Sequence, residues 1–578
     1  MILQRLKEFW DRQDDTFPRG YQLAFLTKKI VIDSAGNRAH VEALSGEKRG
    51  QRSGLSYPVP REQPQRTSSV RPRLLQDNPE YALGFVGEGR DPAKVKGRHE
   101  AYVHLLREAA AETNEQSLAS VLRWIDGSGP QRLLDAHAFE VTDDLLFQVA
   151  EDIPTDLPSV RRFWAKDTEG PQGYCLVTGE LTAVGAAMPY PAKGVPGGQT
   201  SGTMLVSVNM PAGESYGLSG NLSSPIGSEA AESICNALNR LLSDPRHSLR
   251  VQNTVYVFWT RDPQPDFSWD ILNRPNEEEV RLLIDRARTG GEVSKTDAAD
   301  FFALSLSANA SRIVVRDYHE TTLPSVKRKL GEWFDRLSII GVDGRPARPP
   351  GVFALSASLY RDRKDIPNHV PVELIRSALT GSPFPEDLLL LAVRRNTATQ
   401  GPFYRQNNQR YESLARLALI KAALTRNQEG RTDLTQLNKS HPDAAYHCGR
   451  LLSVLESIQR LAIPGLNATL TDRHYGAACA SPGTIFGGLL KDATSAHLPK
   501  LRKNRPGAFV ALDSRLQEVL SGVGNEFPMT LDYRNQGLFA LGYYHQRAHD
   551  IAQARANKEM KELAEGVQPD RTEEEQKQ

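Results

Sequence analysis

Past residue 368 the apolar residues of this chain recur at helical spacing, and that change of period constrains the fold more than any other feature. Leu414, Leu417, Ile420 and Leu424 form one stripe. Leu451, Leu452, Leu455, Ile458 and Ala462 form another, which Pro464 and Gly465 stop. Side chains three and four apart share one helix face, and such a face must be buried against a neighbour. Pro371 at the first turn and Gly381 just past the end bracket a further helix. Helices are also predicted over 483–502, 508–521 and 535–566. The last 200 or so residues therefore read as an all-α bundle.

The preceding residues have a different texture. Residues 21–45 alternate as a strand pair with a turn at 34–37. Residues 46–73 lose periodicity and hold seven Lys/Arg against two Glu with four prolines, the pattern of an exposed basic loop. Helical patterning returns over 97–125, and 136–160 reads as a solvated acidic strand and turn. Strands are expected at 175–178, 203–209, 254–260, 312–317 and 352–358, with helices at 228–243 and 321–338 between them. The fold class is α+β: a mixed α/β N-terminal domain over 1–365, then an all-α C-terminal helical bundle over 366–568, with a disordered tail at 569–578.

Charge excludes little by itself, since 71 Lys/Arg face 70 Asp/Glu, so affinity for a polyanion has to come from local patches. The amphipathic start, MILQRLKEFWDRQ, lacks the apolar segment and cleavage site of a signal peptide, and no apolar run approaches a membrane span. Four cysteines (Cys175, Cys235, Cys448, Cys479) form no CxxC pair, which disfavours a zinc ribbon or a disulfide framework. A cytoplasmic location is the expectation.

Catalytic constellations are weak. The glycine-rich stretch 175–225 carries Lys193 ahead of its glycine and contains no GK[ST], so a phosphate-binding NTPase loop is disfavoured. His99 and His104 in HEAYVH are five positions apart, which turns them about 140° from each other on a helix and prevents a shared metal. His549 and Asp550 make an HD dipeptide of the kind metal phosphohydrolases use, and they carry the alternative reading of a metal-dependent nucleic-acid-processing enzyme. No catalytic residue, cofactor or metal is expected on the leading reading.

Basic segments are stronger. Residues 394–426 hold seven Lys/Arg against one Glu, interleaved with Phe403, Tyr404, Tyr411 and four amides at 406–409. Guanidinium groups suit phosphates, aromatics suit stacking and amides suit base edges. Residues 491–505 add five cations against one Asp.

The runs CLVTGE (175–180), SGTMLVSVN (201–209) and NLSSP (221–225) resemble the large subunit of the type I-C, or Dvulg-subtype, CRISPR Cascade complex. The resemblance continues through LLQDNPEYALG (74–84), FFALSLSANASRIVVRDY (301–318), LIRSALTGSPFPEDLLLLAVRR (374–395) and much of 446–486. It implies a non-catalytic DNA-binding protein. Such a subunit reads the protospacer-adjacent motif (PAM) on double-stranded DNA, aids R-loop formation, holds the displaced non-target strand and recruits a helicase-nuclease. Its other implied partners are the crRNA-containing backbone, the crRNA-processing subunit and small subunits resembling its own region from about 446. Candidate motif readers are Gln76, Asn78, Lys193, Asn209, Ser215 and Asn221. Candidate backbone and displaced-strand contacts are Arg49, Arg52, Arg71, Arg73, Arg405, Arg410, Lys421, Lys500, Arg502 and Lys503, with Tyr404 a stacking candidate.

Overall fold

A computed structural model describes residues 2–13, 18–49, 52–61, 70–165, 170–184, 188, 191–261, 269–272, 274–289, 299–399, 409–425 and 433–564. It divides into two compact units: Met1–Arg240 with Ala308–Val314, and Leu241–Ser307 with Val315–Gln578.

In the first unit, strands β1 (Tyr21–Leu26), β2 (Lys28–Ile32), β3 (Ala39–Ala43), β4 (Glu47–Arg49), β5 (Arg52–Pro60), β6 (Gln76–Asp77) and β7 (Leu145–Val149) build two sheets, ordered β1-β5-β4 and β3-β2-β7-β6. β2 and β7 run parallel with Ile30 opposite Phe147. Ile30, Ile32, Leu145 and Phe147 pack on the helices Pro92–Thr113 and Gln116–Asp126, where Tyr102 and Trp124 meet Phe147 at 6.3 and 6.2 Å between ring centres. Asp91 caps the first of these helices on the Ala93 N–H, and Pro92 occupies the position where a missing N–H costs nothing.

Several expectations change here. The basic stretch at 46–73 is not all loop: β4 and β5 form a hairpin, and β5 pairs antiparallel with β1. Pro58 and Pro60 fit because β4 covers only the 52–54 end of β5. β7 is a buried central strand rather than a solvated one. Residues 175–178 form a turn, in which the Cys175 thiol accepts the Val177 and Gly227 N–H groups at 3.4 and 3.2 Å. The flanking strands are β8 (Gln172–Tyr174) and β9 (Leu181–Ala183). At 203–209 no extended strand forms; the bridges among the described residues are Ala192 with Thr203 and Met204 with Arg312.

The second unit begins with β10 (Ser248–Val251), β11 (Thr254–Thr260), β12 (Asp300–Asn309) and β13 (Arg312–Thr322), in that order across one sheet; the 308–314 tip of the last hairpin belongs with the first unit. Phe258 and Phe301 stack on Trp269 at 4.9 and 4.5 Å, and the helix Leu323–Leu337 covers them. This core continues without a break into helices His369–Thr380, Glu386–Ala398 and Gln409–Leu424, so the chain divides near 240 and not at 365. Val352–Ser358, expected as a strand, is a helix inside the same core. A short apolar run has no period to distinguish the two.

A second core is built by helices Ala444–Ala462, Leu470–Ala480, Pro482–Asp492, Leu498–Asn504, Pro506–Val523 and Tyr533–Ala564. A π-helical turn, Ala493–His497, joins two of them. There the Thr494 and Ser495 hydroxyls donate to the Leu490 and Lys491 carbonyls at 2.8 and 2.6 Å. Gly449 and Gly542 let the first and last helices of this set touch backbone to backbone, against Phe539 and Tyr446.

Three histidines surround Tyr446. Its hydroxyl meets His545 Nδ1 at 2.9 Å, His441 stacks on its ring at 4.5 Å, and His447 Nε2 lies 2.7 Å from the His441 carbonyl. Burial holds all three below the ordinary imidazole range, with His545 brought down to about 3; Lys421 adds to the effect at His545. Unfolded, each protonates near pH 6.5. Stability of the second unit is therefore fully present above about pH 6.5 and declines below it, by at most about 1.4 kcal/mol per pH unit per histidine. Urea midpoints taken between about pH 7 and pH 5 should show that decline, and His545→Gln should flatten it. An unchanged slope in the variant would remove His545 as a source.

Candidate nucleic-acid interface

The motif-reading candidates separate into two settings. Gln76 is fully buried in β6, donating to Asp144 Oδ1 at 3.1 Å, and Arg73 pairs with the same carboxylate at 3.3 Å. Gln76 is thus spent inside the protein, which corrects the expectation that it faces DNA, and the half-buried Arg73 is engaged with Asp144. Asn78 caps the short helix Pro79–Ala82, its side-chain oxygen accepting the Tyr81 N–H at 3.3 Å. Arg52 is exposed and donates to the Thr142 carbonyl at 3.0 Å, while Arg71 is half-buried. The side chain of Arg49 lies outside the described residues.

The other four candidates lie on the glycine-rich segment. Lys193 is exposed, and its backbone N–H donates to Asn239 Oδ1 at 2.9 Å, which fastens this segment to the helix Ser228–Ser243. Asn209 is exposed and accepts a hydrogen bond from the Arg312 guanidinium at the tip of the β12–β13 hairpin. Asn221 holds the base of the next loop, accepting the Val208 N–H at 3.1 Å. Ser215 starts a tight turn closed by the Leu218 N–H on its carbonyl at 2.9 Å. The glycines serve two ends. At Gly197 and Gly202, with φ +79° and +104°, a Cβ would strike Ala308 and Pro191, so their absence of a side chain serves internal packing. Gly217, at φ +74°, faces open space.

Arg312 was not legible as a site residue. Read as the first residue of a strand, RIVVRD, it gives no sign that a bridge to Met204 brings its guanidinium to Asn209.

In the helical region the 394–426 segment is not one cationic face. Lys421 is buried, and its ammonium donates to the Asp335 and Ser338 carbonyls at 3.2 and 2.6 Å, at the C-terminal end of the helix Leu323–Leu337. A cation there meets unpaired carbonyls and the negative end of the helix. Lys421 is thus a capping residue and not a surface contact. Arg416 does the same for Val352–Ser358, donating to the Ser358 carbonyl at 2.8 Å. Tyr404 and Arg405 lie outside the described residues, as does the side chain of Arg410.

Lys500, Arg502 and Lys503 fare better. All three are exposed on the helix Leu498–Asn504, whose Leu498 and Leu501 are buried in the bundle. None of the three pairs with a carboxylate among the described residues. Lys491 and Arg505, also exposed, extend the patch.

One oxygen of the HD carboxylate, Asp550 Oδ1, is committed elsewhere, while Oδ2 is buried with no hydrogen-bond partner among the described residues. Asp550 pairs with Arg515 at 2.9 Å and accepts from Gln546 at 2.9 Å, with His549 at 3.5 Å. Among the described residues one group of three metal-ligating side chains comes together, His369, Glu373 and Asp387, with one atom of each within 4.8 Å; two of the three are exposed. Burial and then Asp387 raise the Glu373 carboxyl. His99 and His104 sit apart, bound to the Tyr81 carbonyl and to Glu108.

A family model described as CRISPR-associated protein (Cas_Csd1) matches residues 3–550, nearly the whole chain. The protein is therefore CRISPR-associated, a component of a multi-subunit complex of the Cascade type. It belongs to the Cas_Csd1 family. No curated protein matches the chain. No helix among the described residues is long and apolar enough to cross a membrane.

Proposed function

We propose that this chain is the non-catalytic large subunit of a type I-C Cascade complex. In this reading it recognises the protospacer-adjacent motif on duplex DNA, helps open the duplex, holds the displaced strand and recruits the helicase-nuclease. The family match across residues 3–550 carries the proposal, since it spans both the glycine-rich loops and the helical region. Guide-directed recognition divides the labour so that protein reads a short motif and backbone while base pairing reads sequence. The exposed amide of Asn209 beside Arg312 suits the first task, and the exposed cations of Leu498–Asn504 suit the second. A metal-dependent nuclease centred on His549 and Asp550 is less favoured, because Asp550 Oδ1 already takes Arg515 and Gln546 and no third metal-ligating side chain joins the pair among the described residues.

The displaced-strand role is tested on the assembled complex. With Lys500, Arg502 and Lys503 all changed to alanine, target affinity should fall. The log–log salt slope should flatten by about 0.7 for each single-strand phosphate no longer neutralised, about 2 for all three. Unchanged affinity and slope would retire this patch as the binding surface. A cleavage assay on single- and double-stranded DNA with added divalent metal tests the non-catalytic role. Cleavage that His549→Ala abolishes would overturn it.

A further inference from the structure

Tyr216 is 98 % exposed, the most exposed large apolar side chain among the described residues. Its backbone is at φ +56°, and Gly217 follows at φ +74°. The Leu218 N–H closes the turn on the Ser215 carbonyl at 2.9 Å, and Ser215 and Leu218 form a bridge. Two central residues with positive φ define a type I′ turn, whose preferred sequence is Asn-Gly. A tyrosine at the first position strains the backbone, and among the described residues the ring, 98 % exposed, gains no packing in return. An outlier of this kind points to a use outside the chain.

The tip is also held firmly. Gly220 N–H donates to Glu214 Oε1 at 2.9 Å, Ser223 Oγ donates to the Leu218 carbonyl at 2.9 Å, and the loop base is tied through Asn221. Glu214, the acid of this loop, is thereby engaged. At the foot of the loop stands Asn209 with the Arg312 guanidinium. A flat ring with both faces open, on a polar tip beside an amide and a guanidinium, is the combination that stacks a base while its neighbours meet base edge and phosphate.

We infer that Tyr216 is a stacking platform for a nucleobase of the target DNA, presented by a turn strained for that purpose. The inference rests on the DNA-binding reading above and names the ligand of that loop. The test compares wild-type chain with Tyr216→Asn and Tyr216→Trp, each assembled into the full complex, on duplex targets with and without the motif. Asparagine suits positive φ, so Tyr216→Asn keeps the turn and removes only the ring. It should assemble normally and bind motif-bearing target roughly 5- to 150-fold more weakly, while Tyr216→Trp stays within about threefold of wild type. Tyr216→Asn complex that binds target as tightly as wild type would overturn the inference and leave the DNA-binding reading standing. Failure of Tyr216→Asn to assemble would also overturn it, making the ring a protein anchor. Complex lacking this chain that binds target as well as the complete one would defeat the DNA-binding reading itself.

Discussion

Replacing Glu456 with alanine is expected to destabilise the second unit by about 3–5 kcal/mol, the effect of removing one member of a buried ion pair. The Glu456 side chain is 3 % exposed and gathers three donors: the Tyr543 hydroxyl at 2.6 Å, Arg547 at 2.7 Å and Arg460 at 2.9 Å. Burial pushes its carboxyl upward, but Arg547, Tyr543 and Arg460 outweigh it and hold the group below the ordinary carboxylate range. The sign for pH follows. The contribution is fully present above the unfolded value, about 4.3, and is lost as pH falls through the lower folded value. Alanine would leave the half-buried Arg547 with the Tyr543 hydroxyl but without its carboxylate. Urea unfolding of the full chain near pH 7 measures the effect. A shift under about 1 kcal/mol would mean that water replaces the carboxylate easily and that the network holds little.

A second large effect comes from glycine. Alanine normally stabilises a helix by up to about 1 kcal/mol relative to glycine. Gly487→Ala should show that gain, because Gly487 is an exposed helical position with nothing within 4 Å of the added methyl. Gly449→Ala should show the opposite sign, a loss of about 3 kcal/mol, at the upper end of overpacking. Its methyl would meet the Phe539 carbonyl and the Tyr543 nitrogen, backbone atoms that cannot rotate away. The two helices would have to separate, loosening the apolar packing along both. Thermal unfolding of the two single variants settles the matter, and equal signs would contradict the close helix approach.

Most helices after 368 were legible from their apolar period, and two of them also from a start or stop signal, whereas Glu386–Ala398 and Leu470–Ala480 were not read from the sequence. His369–Thr380 ends at Gly381 with φ +71°, as its glycine predicted, although it begins two residues before Pro371. Elements that depend on a distant partner were not legible. β5 exists because β1 lies beside it, and nothing within 52–60 announces that pairing. The same division holds for the site. Exposure of Lys500 and Lys503 follows from their place opposite Leu498 and Leu501 on one helix, whereas Arg502, four residues past Leu498, lies at the edge of the buried face. Lys421 follows Ile420 in a helix buried on nearly every side, so local charge counting misplaced it. Arg312 reaches Asn209 only through a hairpin tip, a juxtaposition that sequence spacing cannot encode.

The π-helical turn at Ala493–His497 also bears on how this helix tolerates change in length. Phe486, Leu489 and Ala493 keep α-helical steps into the core, and the next buried residues are Leu498 and Leu501. The step from 493 to 498 is five residues, which an α-helix would turn about 140° away from the core. The wide turn absorbs the surplus residue. Losing one residue between 493 and 498 would convert five to four and let an ordinary α-helix carry the same apolar stripe. A loss one turn earlier, between Phe486 and Leu489, would break the stripe instead. The helix thus contains one spot that holds a residue beyond the α-helical step, where a one-residue deletion should keep the apolar stripe in register, and that spot lies next to the exposed cations.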